Sequence, residues 1–146
     1  MSKKKVIVGL GSCGIAAGAN KVYDKIADIQ KAENLDFELA KTSCVGMCYR
    51  EPLVEIVDEN GSYLYGNVDE KRIFDILEEH INHENPLKDY VVYTDQFESP
   101  EKNYYEGQKK IALRNCGFMD PDSIEEYEAR EGYAALKKIA DEAIPF

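Results

Sequence analysis

Sulfur is the element in this sequence best suited to chemistry. Its four cysteines are Cys13, Cys44, Cys48 and Cys116. The sharpest signal is Cys44-x-x-x-Cys48, with Gly46 between the thiols, joined by Cys13 in a second glycine-containing segment, Gly11-Ser12-Cys13-Gly14. Thiolates from two loops can close around a soft metal centre, and glycine lets backbone N–H groups approach the negative sulfurs. Cys13, Cys44 and Cys48 are therefore the candidate ligands of a metal or cluster. Cys116 stands alone and is read as a small apolar core residue. His80 and His83 are read at a polar helix end, as solvated or helix-dipole groups rather than ligands. No Ser/His/Asp arrangement or carboxylate pair stands out, so isolated acids are taken as solvated faces. Gly9, Gly11, Gly14 and Gly18 imitate a dinucleotide loop superficially, and no nucleotide site is expected there.

Elements must hold those sulfurs. Residues 3–10, Lys-Lys-Lys-Val-Ile-Val-Gly-Leu, read as a short buried strand that ends in the loop of Cys13. From Ile15 to about Lys31, Ala19, Val22, Tyr23, Ile26 and Ile29 recur at helical spacing. Phe37 to Ala40 alternates as a strand does and runs into the aperiodic stretch that carries Cys44 and Cys48. Two strand-like runs, residues 53–57 and 63–65, flank Asp58-Glu59-Asn60-Gly61, which is a hairpin signal. Ile73, Ile76, Leu77 and Ile81 then mark a second helix that Asp69 can cap and that Asn85-Pro86 closes. Strand, helix, strand, hairpin, helix is the thioredoxin-like order. The expectation is one α/β domain over residues 1–88, a mixed four-stranded sheet with helices, and both cysteine loops at one end of it.

Residues 89–146 read as an extended arm followed by helices. Tyr90, Val91, Val92, Tyr93, Phe97, Tyr104 and Tyr105 carry no sustained period, and the tyrosines suit either an interface or an arm packed on its own domain. Gln108 to Arg114 is expected to form a short strand or helix. Ser123-x-x-Glu126 is a capping box for a further helix, which Gly132 divides from a last one running from Tyr133 to about Ala143.

Composition narrows the partners. The 146 residues, 44% of them hydrophobic, suffice for one core and an extension. A net charge of −10 argues against nucleic acid or an anionic membrane surface. Charge is not evenly spread: the first 50 residues hold eight Lys and Arg against five Asp and Glu, so the cysteine-bearing region is locally positive. No run reaches the length of a membrane helix, and the hydrophobic stretch after Lys5 is too short for a signal peptide. A cytoplasmic protein with protein partners is expected, its thiols kept reduced.

Two stretches resemble known proteins. Val8-Gly9-Leu10-Gly11-Ser12-Cys13-Gly14-Ile15-Ala16-Ala17-Gly18-Ala19, with Cys44-Val45-Gly46-Met47-Cys48-x-x-Glu51-Pro52-Leu53-Val54, resembles the thioredoxin-like [2Fe-2S] ferredoxin domain. That domain occurs in the small NADH-dehydrogenase subunit and at the N-terminus of the NADH-binding flavoprotein subunit of electron-bifurcating hydrogenases. The likeness runs from residue 5 to about 90. A further stretch, Gln108 to Gly117 followed by Asp120-Pro121, Ile124-Glu125-Glu126-Tyr127 and Gly132 to Leu136, looks like the lead-in of that flavoprotein. The resemblance implies a [2Fe-2S] cluster on Cys13, Cys44 and Cys48, and partners among the flavoprotein or hydrogenase subunits of a redox complex.

There are two departures from the pattern. The family's first loop usually holds a second cysteine, and the position five before Cys13 is Val8, which cannot bind iron. The flavoprotein lead-in normally continues into a glycine-rich FMN and NADH loop, whereas this sequence runs to Phe146 without one, so neither FMN nor NAD is expected. Ser12, Cys116, His80, His83, a partner's side chain or a non-protein ligand are the options for the missing position. Three readings follow: a one-electron carrier subunit, a cluster-free docking subunit of the same kind of complex, or a thiol pair or zinc site at Cys44 and Cys48.

Overall fold

The computed structural model describes residues 4–142, so the expectations that fall on Lys3 and Ala143 lie outside the described residues. Alternation in β1 (Lys4–Gly9) turns Val6 and Val8 inward, and both are fully buried. Two helices follow, α1 (Ser12–Ala17) and α2 (Ala19–Glu33), where the spacing predicts one. Gly18 separates them. Its φ of 102° is a left-handed conformation that glycine adopts freely, and its N–H closes α1 onto the carbonyls of Gly14 and Ile15. The apolar stripe of α2, Ala19, Val22, Ile26 and Ile29, is buried as its period requires.

The chain then returns as β2 (Phe37–Thr42), parallel to β1, and forms the expected hairpin of β3 (Val54–Val57) and β4 (Ser62–Tyr65). Asp58 organises the turn by accepting the N–H groups of Asn60 and Gly61 at 2.8 and 3.0 Å. Asp69 caps α3 (Glu70–Ile76) through the N–H groups of Lys71 and Arg72, and the helix continues as a π-helical turn over Leu77–Asn82. A fifth strand, β5 (Val91–Thr94), comes from residues that read as arm and pairs antiparallel with β4. The sheet order is β2-β1-β3-β4-β5.

Strand alternation builds two apolar layers. Val6, Val8, Ile56, Tyr63, Tyr65 and Val91 pack under α2 and α3, while Leu64 and Val92 join Val45, Met47 and Leu53 on a second cluster. His80 departs from its expected solvated position: it is fully buried. One helical turn separates it from Ile76 and Leu77, so it falls on the same buried stripe. A single neutral tautomer satisfies it, with Nδ1 accepting from the Tyr65 hydroxyl at 2.7 Å and Nε2–H donating to Asp58 at 3.2 Å. Burial lowers the His80 pKa, against the upward pull of Asp58. His83 is exposed beside Glu78 and Glu79.

Beyond β5 the chain forms α4 (Lys102–Glu106), α5 (Ile124–Ala129) and α6 (Ala134–Asp141). The expected strand or helix over Gln108 to Arg114 is not formed; residues 108–111 are irregular and residues 112–118 form turns. Ser123 accepts the Glu126 N–H at 3.1 Å, which is one half of the capping box, while the Glu126 carboxylate accepts the Asp120 N–H at 2.9 Å in place of that of Ser123. Tyr93 and Tyr105 stack with ring centroids 4.3 Å apart, which packs this part of the arm on its own domain. No helix among the described residues is long and apolar enough to cross a membrane.

Candidate metal centre

Parallel pairing fixes where the cysteines lie. Gly9 ends β1 opposite Thr42 at the end of β2, so the loops carrying Cys13 and Cys44 leave the same end of the sheet. Gly11 brings them close: a Cβ there would lie 2.9 Å from the backbone N of Cys44 and 3.0 Å from its Cβ. Only a residue without a side chain allows that approach. Cys13 follows two residues later, exposed at the start of α1.

Within the second loop the Cys44 and Cys48 sulfurs are 3.5 Å apart, and the Gly46 N–H points at the Cys44 sulfur at 3.4 Å. Burial pushes the Cys44 thiol pKa up, partly offset by the Gly46 N–H, while Cys48 and Glu51 add to the rise. Cys48 is exposed and opens a 3-10 turn over Cys48–Arg50. That turn is held from both sides. Met47 is buried before it, and its own Tyr49 and Arg50 converge on Glu101 at 2.6 to 2.9 Å. The Tyr49 hydroxyl, donating to that carboxylate, has its pKa pushed up to about 12, and the same contacts lower the Glu101 pKa. The structure thus joins two of the three predicted ligands and seats the third one's loop against them. Among the described residues no group of three or more His, Cys, Asp or Glu is gathered as for a single metal ion.

Glu51 is a feature the sequence reading missed, since isolated acids were expected on solvated faces. It is only 7% exposed, one carboxylate oxygen accepts the Leu53 N–H at 2.9 Å, and the other has no hydrogen-bond partner among the described residues. Burial raises its pKa against the pull of that N–H. The carboxylate lies behind the Cys13 turn, where a Cβ on Gly14 would stand 3.1 Å from it and 2.4 Å from the Gly9 carbonyl oxygen. Gly9, Gly11 and Gly14 do stand in G-x-G-x-x-G spacing at a strand-to-helix turn. Their open sides are nevertheless filled by Glu51, Leu53, Cys44 and the chain's own backbone, which leaves no cradle for a phosphate. Gly14→Ala is expected to destabilise the fold by about 1–3 kcal/mol through this clash, read as a lower urea midpoint.

Cys116 is half-buried on a segment that returns to the cysteine loop. The Thr42 hydroxyl donates to the Met119 carbonyl at 3.2 Å, Lys41 pairs with Asp122, and a Cβ on Gly117 would meet the Val45 side chain at 3.1 Å. Val8, at the place of the missing family cysteine, is fully buried in the core.

Comparison with known proteins bears on the fold and the family. No protein-family model matches the chain. Over 88 residues, 59% of this chain and 70% of its relative, it is 31% identical to the NADP-reducing hydrogenase subunit HndB of Solidesulfovibrio fructosivorans. A 32-residue stretch, 22% of this chain, is 56% identical to the NADP-reducing hydrogenase subunit HndC of the same organism, of which it spans only 6%. Among solved structures, the wild-type thioredoxin-like [2Fe-2S] ferredoxin from Aquifex aeolicus superposes with a TM-score of 0.57 at 20% identity, covering 64% of this chain and all of that one. On the thioredoxin-like ferredoxin fold it shares with that structure, the chain belongs to the family of the hydrogenase subunit HndB.

Proposed function

We propose that this chain is an electron-transfer subunit of a hydrogenase-like or NADH-dehydrogenase-like complex, with Cys13, Cys44 and Cys48 as ligands to a [2Fe-2S] cluster. The observation that carries the reading is the meeting of the Cys44 and Cys48 sulfurs at 3.5 Å, beside a loop that Gly11 seats against Cys44. A cluster bound there supplies one-electron redox chemistry. The protein's own part is to hold it near the surface: Cys13 and Cys48 are exposed, so a partner's redox group can approach closely. Flavin and nicotinamide belong to that partner. In this reading the carrier domain runs past the expected boundary at residue 88 to take in β5, the segment after β5 serves docking, and the protein works in the cytoplasm.

The burial of Val8 gives weight to one competing reading, a docking subunit that has lost its cluster. Reductive titration of anaerobically purified protein decides between them. The carrier reading expects visible bands that bleach on uptake of about one electron per chain; a colourless protein with nothing to reduce leaves docking alone. Cys116→Ala is expected to leave those bands unchanged, as suits a half-buried residue outside both cysteine loops. Bleaching in that variant makes Cys116 the missing ligand.

A further inference from the structure

The same two sulfurs that suit a metal also suit each other. We propose that, in the metal-free chain, Cys44 and Cys48 form a reversible disulfide driven by a low-molecular-weight disulfide such as oxidised glutathione, which makes this loop a redox modification site. Their sulfurs already touch at 3.5 Å, and both flanks of the loop are anchored. Thr42 before the loop is held to the Met119 carbonyl, Val45 and Met47 within it are buried, and Tyr49 and Arg50 after it are fastened to Glu101, so closing the bond calls for side-chain rotation in a loop whose ends stay fixed. Cys48 is exposed and meets the small disulfide first.

The exchange balances in two steps. The Cys48 sulfur, giving up its proton, attacks one sulfur of the small disulfide, forming a mixed disulfide and releasing one small thiolate that takes up that proton. The Cys44 sulfur, likewise losing its proton, then attacks the Cys48 sulfur and expels the second small thiolate, which is protonated in turn. Two protein thiols are oxidised by two electrons and one small disulfide is reduced to two thiols. The second step is intramolecular, favoured by the sulfur contact. A consequence that rests on the carrier reading is exclusion: sulfurs bonded to each other are not available to iron, so the oxidised loop takes up a cluster only after a dithiol reopens it.

The full chain, stripped of metal by a chelator and equilibrated in glutathione buffers from reducing to oxidising, is unfolded in iodoacetamide and weighed intact. The expected result is reversible loss of two of the four alkylations, mapped by peptide mass to Cys44 and Cys48, with Cys13 and Cys116 still alkylated. Cys44→Ser is expected to stop at one glutathione adduct on Cys48, whose retention shows that the variant reacts but cannot complete the exchange. Four alkylations under every buffer, or a disulfide that involves Cys13, Cys116 or a second chain, overturns the proposal. The two readings fail separately: a reduced chain that never takes up iron and sulfide removes the electron carrier and leaves the disulfide standing, whereas a cluster-binding chain that keeps four thiols when metal-free does the reverse.

Discussion

Cys44→Ser and Cys48→Ser are each expected to lose the visible bands, the iron and the acid-labile sulfide together, while the fold stays intact. Each sulfur is one half of the 3.5 Å pair, so either change leaves a single thiolate where two converge. Serine is close to cysteine in shape but a harder, poorer ligand for iron. Cys48 is exposed and Cys44 half-buried, outside both apolar clusters, so with both proteins stripped of metal the expected change in unfolding free energy is within about 0.5 kcal/mol. That combination, a lost chromophore at constant stability, separates a ligand from a packing residue. Parallel absorbance, iron analysis and urea denaturation supply the check. Unchanged spectra in both variants would remove these residues from the site.

His80→Ala is expected to cost the most stability, about 3 kcal/mol or more. It opens a cavity among Tyr63, Tyr65 and the turn after α3, and it strips the Tyr65 hydroxyl and the Asp58 carboxylate of a buried partner. The same network sets a pH dependence. Burial holds the folded His80 below histidine's ordinary value of 6.5, so on acidification the unfolded chain takes up that proton first. The stability it contributes is complete above that value and is lost as pH falls through the folded pKa. Burial opposes ionisation of Asp58, but the N–H groups of Asn60 and Gly61 and the His80 contact outweigh it and lower its pKa, so further stability is lost in more acidic solution. Urea unfolding of wild type across this range should show the decline, and the His80→Ala curve should lack its upper part. Equal midpoints for the two proteins at neutral pH would contradict the network.

Local signals were the legible ones. Asn60-Gly61, Asp69 and Ser123-x-x-Glu126 each act within four residues, and the hairpin and helix starts stand where those residues put them. The two cysteine loops share a sheet end because a strand–helix–strand unit with parallel strands leaves them no alternative. Gly18 was visible but underweighted against a long apolar stripe that runs past it. β5 was missed because Val91–Thr94 is four residues long and its pairing with β4 is a distant contact with no local mark. His80 could have been found: its spacing from Ile73, Ile76 and Leu77 put it on the buried face, although Glu78, Glu79 and Asn82 around it suggested water. The approach of Gly11 to Cys44, the burial of Glu51 behind the Cys13 turn and the return of Gly117 to Val45 all join residues that lie far apart in the chain. Spacing has no means of announcing such contacts.

Iron and acid-labile sulfide counted on anaerobically purified wild-type chain decide whether Cys13, Cys44 and Cys48 hold a cluster. The carrier account predicts a brown protein with the two in equal amounts, about two of each per chain. A colourless protein with neither contradicts it, and zinc without sulfide would mean that Cys44 and Cys48 hold a different metal altogether.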